Sequence, residues 1–143
     1  MKSYISIIIF IFTALQNTQV VAAQNNSNQL ASFDNPVGYD APEGSSAKLT
    51  RENNICTIKI IQYGETGKAI LTWSFDQFTL YTATEKITGY TDGGLTMLSL
   101  NQGKFSEYPK SSQRLDIHLA ATQKDFQRVR GFFPTQLAQC LAR

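Results

Sequence analysis

The chain holds a single histidine, and that scarcity removes more chemistry than any other feature of its composition. Nucleophilic catalysis built on imidazole could use only His118, with Asp116 two residues away on the same face of an expected strand, roughly 6 to 7 Å along it. That pair reads as solvent-facing and polar, because strand alternation places it opposite the inward Leu115, Ile117 and Leu119. Metal ligation is poorer still: one histidine, two cysteines and no spaced acidic cluster do not make a ligand set, so neither metal nor cofactor is expected. None of the eleven acids sits in a motif for glycoside chemistry. Charge of one sign is also lacking. Thirteen Lys and Arg against eleven Asp and Glu give a formal +2, and the basic residues are spread along the chain, which argues against nucleic acid and anionic membranes as partners.

Long apolar runs are absent too, apart from the first residues. Lys2 supplies a positive start, Ile5 to Leu15 is an almost unbroken apolar run of eleven residues, and Val21-Ala22-Ala23 is a small-residue exit. Eleven residues fall short of the roughly 20 that cross a bilayer. Residues 1–23 therefore read as a secretory signal peptide cleaved near Ala23, with no stable membrane anchor and an extracytoplasmic, periplasmic or secreted product. Removing them leaves 120 residues, the size of one domain.

Two cysteines remain, Cys56 and Cys140, and in an oxidising compartment such a pair bridges. With the two 84 positions apart, closure of that loop contributes about 4 to 5 kcal/mol in the chain-entropy account.

Residues 24–51 are rich in Asn, Ser, Gly, Pro and Asp and read as a flexible N-terminal arm, with Phe33, Val37 and Tyr39 available to pin it. Asn25-Asn26-Ser27 spells a glycosylation sequon, here assigned to chance. Residues 52–143 read as a single α+β domain. Ile55 to Tyr63 is β-branched, Gly64-Glu65-Thr66-Gly67 is a hairpin turn, and Ala69 to Ser74 alternates, with Ala69, Leu71 and Trp73 on one face. Further strands are expected at 78–82, 87–91, 95–100 and 114–120, with Asp92-Gly93-Gly94 as a tight turn. Thr122 reads as a helix N-cap, and Phe126, Val129, Arg130 and Phe133 form a stripe that Pro134 interrupts before Leu137, Cys140 and Leu141. The expected architecture is an antiparallel meander of five to seven short strands with one kinked C-terminal helix packed on a face. A small closed β-barrel with a C-terminal helix is the alternative.

Gly64-Glu65-Thr66-Gly67-Lys68-Ala69 mimics the end of a phosphate-binding loop but has Gln62 and Ala69 where glycine and a hydroxyl belong. What remains is surface. The face opposite the core is expected to carry Thr72, Thr79, Tyr81, Thr88, Tyr90 and Thr96, of which Tyr81, Tyr90, Thr79 and Thr88 are the candidate partner-binding residues. Leu95 to Leu100, apolar on both sides, implies a strand covered on both faces. The functional expectation is a small exported, non-catalytic binding protein, an inhibitor or escort of another exported protein. A carrier of a small apolar ligand, lined by Trp73, Phe78, Leu80, Phe126 and Phe133, is the alternative, and an unrecognised hydrolase the third. An exposed sheet edge also leaves room for a homodimer.

Overall fold

The computed structural model describes residues 28–77, 79–97 and 105–142. The leader, the sequon, Phe78, Leu98 and Leu100 lie outside them. Six strands, β1 (Gln29–Asp34), β2 (Ser45–Glu52), β3 (Ile55–Gly64), β4 (Gly67–Phe75), β5 (Leu80–Tyr90) and β6 (Glu107–Arg114), are followed by helices α1 (Ala120–Arg130) and α2 (Pro134–Leu141). Every neighbouring pair is antiparallel and the order in space is the order in sequence. β1 and β6 are the two edges, so the sheet is open and is not the barrel offered as an alternative.

The turns follow from residue types that accept unusual backbone. Asn53 and Asn54 both take positive φ, 46° and 69°, in the two-residue connection of β2 to β3, the conformation a tight hairpin demands. Glu65-Thr66 closes β3 onto β4, with Gly64 opposite Gly67. A Cβ on Gly67 would lie 2.2 Å from the carbonyl oxygen of Thr88, so only glycine lets β4 approach β5 there. Asp92, Gly93 and Gly94 also have positive φ, but they lead into a short 3-10 turn, Gly94–Met97, where a strand was expected.

Residues 24–51 are not an arm throughout: they supply β1 and most of β2. Composition concealed this, since the buried Ala47 and Leu49 alternate with polar partners, and Tyr39 is drawn into the core from the loop between the strands. β6 occupies a stretch where no strand was expected before residue 114, and residues 115–119, expected to be strand, connect it to α1. β6 pairs with β5 alone and is exposed along its whole length, so it carries no apolar alternation to betray it. Pro109 is tolerated because this is an edge strand beside a register shift at Ile87/Thr88. Leu119, not Thr122, is the N-cap of α1; Thr122 is buried within the helix.

Two helices stand where one kinked helix was expected. Pro134 opens α2, and Phe133 before it leaves helical geometry at φ −127°, as the residue preceding proline tends to. The core lies between these helices and one face of the sheet. Leu49, Ile58, Trp73 and Ala83 stand opposite one another on four successive strands, and all are buried. Phe126, Val129 and Phe133 close over them, with the rings of Phe75 and Phe126 5.0 Å apart.

Cys56 and Cys140 form the expected disulfide, joining α2 to β3. Arg51, on β2 opposite Cys56, donates to the carbonyl oxygens of Gln139 at 3.0 Å and Ala142 at 2.5 Å, so a cation meets the negative end of the same helix. The Cys56→Ser/Cys140→Ser variant is expected to lose about 2 to 5 kcal/mol of unfolding free energy, measured by urea titration.

Tyr39 packs edge-on to Trp73, with ring centres 6.4 Å apart, and its hydroxyl is buried without a hydrogen-bond partner among the described residues. Burial, with the nearby Asp125 carboxylate adding to it and Arg128 opposing, pushes its phenol up to about 12. The native protein keeps this proton where the unfolded chain has released it. Stability is therefore unaffected below the ordinary value of 10 and falls as pH rises from there towards 12. Tyr39→Phe is expected to change stability by no more than about 1 kcal/mol at neutral pH and to flatten the alkaline loss, read by denaturation at pH 8, 10 and 11.

Candidate binding face

The two faces of the sheet differ in what covers them. From Ser45 to Thr50 and from Ile55 to Ile61 burial alternates: Ala47, Leu49, Ile58 and Ile60 are fully buried under the helices, while Lys48, Thr50, Thr57 and Lys59 are accessible. β4 and β5 continue the accessible side with Ile70, Thr72, Ser74, Thr82, Thr84 and Lys86. No described element lies across this middle part of the sheet.

Register converts positions far apart in sequence into rows. Thr50, Thr57, Ser74 and Thr82 stand opposite one another, a band of hydroxyls in which the Oγ atoms of Thr57 and Ser74 are 3.3 Å apart. The next row runs Ser32, Lys48, Lys59, Thr72, Thr84, Arg114. The third runs Asp34, Ser46, Ile61, Ile70, Lys86, Ser112. Four cations thus gather on one face, and no ion pair to a described acid neutralises any of them. Lys48 and Lys59 are direct cross-strand partners, which puts like charges side by side. Asp34 and Glu52 sit at the margins, on the edge strand and at the end of β2. The sequence hid this grouping because the four cations are spread from position 48 to 114; alternation within each strand was the available signal, and register was the missing information.

At one end the face is closed off. After β5 the chain returns over it, bringing Phe105 to 4.6 Å from the Tyr90 ring and Glu107 to 2.6 Å from Lys68. This separates the four candidate partner-binding residues. Tyr81 is 41% exposed and Thr79 is exposed, but Tyr90 is 8% and Thr88 5% exposed, at the far end of β5. Tyr81 and Tyr90 are nine residues apart on one strand, about 30 Å, and do not share a patch. Tyr81 occupies the register shift between β4 and β5 and donates its hydroxyl to Oδ2 of Asp76, which holds the phenol above its ordinary value. Burial raises the Tyr90 phenol.

His118 lies in the connection to α1. The Asp116 carboxylate accepts the backbone N–H of His118 at 2.9 Å, closing a local turn rather than orienting the imidazole. His118 faces a cleft of about 280 Å³ with Thr79, Gln127 and Arg130. Trp73, Leu80, Phe126 and Phe133, the described residues of the expected ligand lining, are packed in the core. Among the described residues no helix is long and apolar enough to cross a membrane, and no group of three or more His, Cys, Asp or Glu is poised to hold a metal.

Comparison with protein-family models, curated proteins and solved structures finds no match for the chain.

Tyr90→Ala is expected to cost about 3 kcal/mol of stability, because it strips the packing from Phe105 and leaves a space behind. Tyr81→Ala is expected to shift stability by no more than about 0.5 kcal/mol, as surface substitutions do. Paired thermal melts check the contrast, and only the Tyr81 variant is then a clean probe of binding.

Proposed function

We propose that this is a small exported, non-catalytic binding protein that docks another exported protein on the open face of its sheet, as an inhibitor or escort. The observation that carries the reading is the one-sided cover. Both helices pack on one face, while the middle of the other keeps accessible hydroxyl, cationic and isoleucine side chains in register across five strands. The Cys56–Cys140 disulfide is compatible with an extracytoplasmic location, where the leader would direct the chain.

Dense packing of Trp73, Phe126 and Phe133 weighs against the apolar-ligand carrier, since the residues meant to line its chamber touch the core instead. A hydrolytic role has less support, because the Asp116 carboxylate is engaged by backbone.

The test is affinity capture from the host's extracytoplasmic fraction by tagged protein. Thr72→Tyr/Thr84→Tyr adds bulk without charge to the middle of the face, using residues at home in strands; Gln127→Tyr on exposed α1 surface is the control. One stoichiometric protein retained by the wild type and the control, and lost by the double variant, is the expected outcome. A partner equally retained by all three would refute docking on this face.

A further inference from the structure

The geometry points to an acidic protein surface as the occupant of the open face, one that sets carboxylates around a small apolar patch. This rests on the docking reading above and adds the partner's chemistry.

Three observations carry it. First, Lys48 and Lys59 are directly opposed, with Cβ atoms about 4.5 to 5.5 Å apart, an arrangement that costs stability and that no described acid relieves. Lys86 and Arg114, on neighbouring strands one row apart, make a second cationic group. From β3 to β6 is three strand spacings, so the two groups stand about 14 Å apart with Thr72 and Thr84 between them. Partner carboxylates at both places would turn repulsion into paired, hydrogen-bonded contacts.

Second, Ile61 and Ile70 are cross-strand partners in the middle of the third row, with Lys86 opposite Ile70 and Lys59 two residues from Ile61. Both isoleucines remain partly accessible. An apolar centre with a charged rim is the anatomy of a protein interface. Third, no aromatic side chain occurs in the three rows. Sugar rings and nucleobases depend on such stacking platforms, so a glycan or single-stranded nucleic acid is the poorer fit.

The rows cover on the order of 20 Å by 20 Å, towards the small end of specific interfaces. Association of this kind is steered by charge and weakens in salt.

The experiment uses purified full-length protein and fluorescein-labelled poly-L-glutamate as the probe, with heparin and phosphatidylglycerol vesicles as competing chemistries. Poly-L-glutamate is expected to bind, to lose about 10-fold or more in affinity between 20 and 300 mM salt, and to be released by Lys59→Glu/Lys86→Glu but not by the α1 surface variant Lys124→Glu. Lys59→Glu alone should leave the melting temperature unchanged or raise it, because it turns a repelling pair into an attracting one. Preferential binding of heparin or vesicles through the same lysines would overturn the proposal, as would poly-L-glutamate binding that ignores them. A captured partner lost with Thr72→Tyr/Thr84→Tyr but kept by Lys59→Glu/Lys86→Glu would refute the acidic chemistry and leave the docking face standing. A partner kept by both would remove the face itself.

Discussion

The bond between Cys56 and Cys140 fixes α2 against β3, on the side of the sheet where alternation gathers Ala47, Leu49, Ile58 and Ile60. Arg51 acts at the same joint, holding the last carbonyls of the helix from the neighbouring strand. With α2 seated there, Phe133 is buried over the sheet and α1 is carried across β4, where Phe126 meets Phe75. Arg130 lies 5.8 and 5.5 Å from the centres of the Phe75 and Phe126 rings, so a cation seals the rim of the aromatic cluster.

The other face stays open for a topological reason. A meander makes every connection between adjacent strands, and short hairpins such as Asn53-Asn54 and Glu65-Thr66 remain near the plane of the sheet. Among the described residues no crossover element is available to cover a second face. After β6 the chain leaves the sheet, and its two helices go to the same side. The hydroxyl and lysine rows are thus the remainder of a design with one covering layer, and alternation supplies side chains that tolerate water.

Much of this was legible in the sequence where alternation was strong. β3 and β4, their turn at Glu65-Thr66, the inward Trp73, the stripe of α1 and the break at Pro134 all follow from spacing and residue type. β1 and β2 were obscured by Ser, Asp, Lys and Glu on their accessible sides, and β6 by having no buried side at all. Two expected short strands merge into the eleven residues of β5 because Ala83-Thr84-Glu85-Lys86 pairs with β4 in unbroken register, although Ala, Glu and Lys carry little strand preference. The basic face was not legible, because charge spread along a chain says nothing about charge spread over a surface until register is known. Tyr90 shows the converse: its period placed it on the outer side, and the close approach of Gly94 and Phe105 buries it.

Strand order has a kinetic consequence. Each strand finds its partner a short distance along the chain, so the sheet can zip up pair by pair with little loop entropy to overcome. The helices cannot help early, because α2 docks on β1, β2 and β3, at the opposite end of the sequence. Until the helices dock, Leu49, Ile58, Trp73 and Phe75 lack the apolar cover that buries them in the native fold. The Cys56–Cys140 bond spans that same interval of sequence, so its closure ties the C-terminal helix to a strand from the first half of the chain.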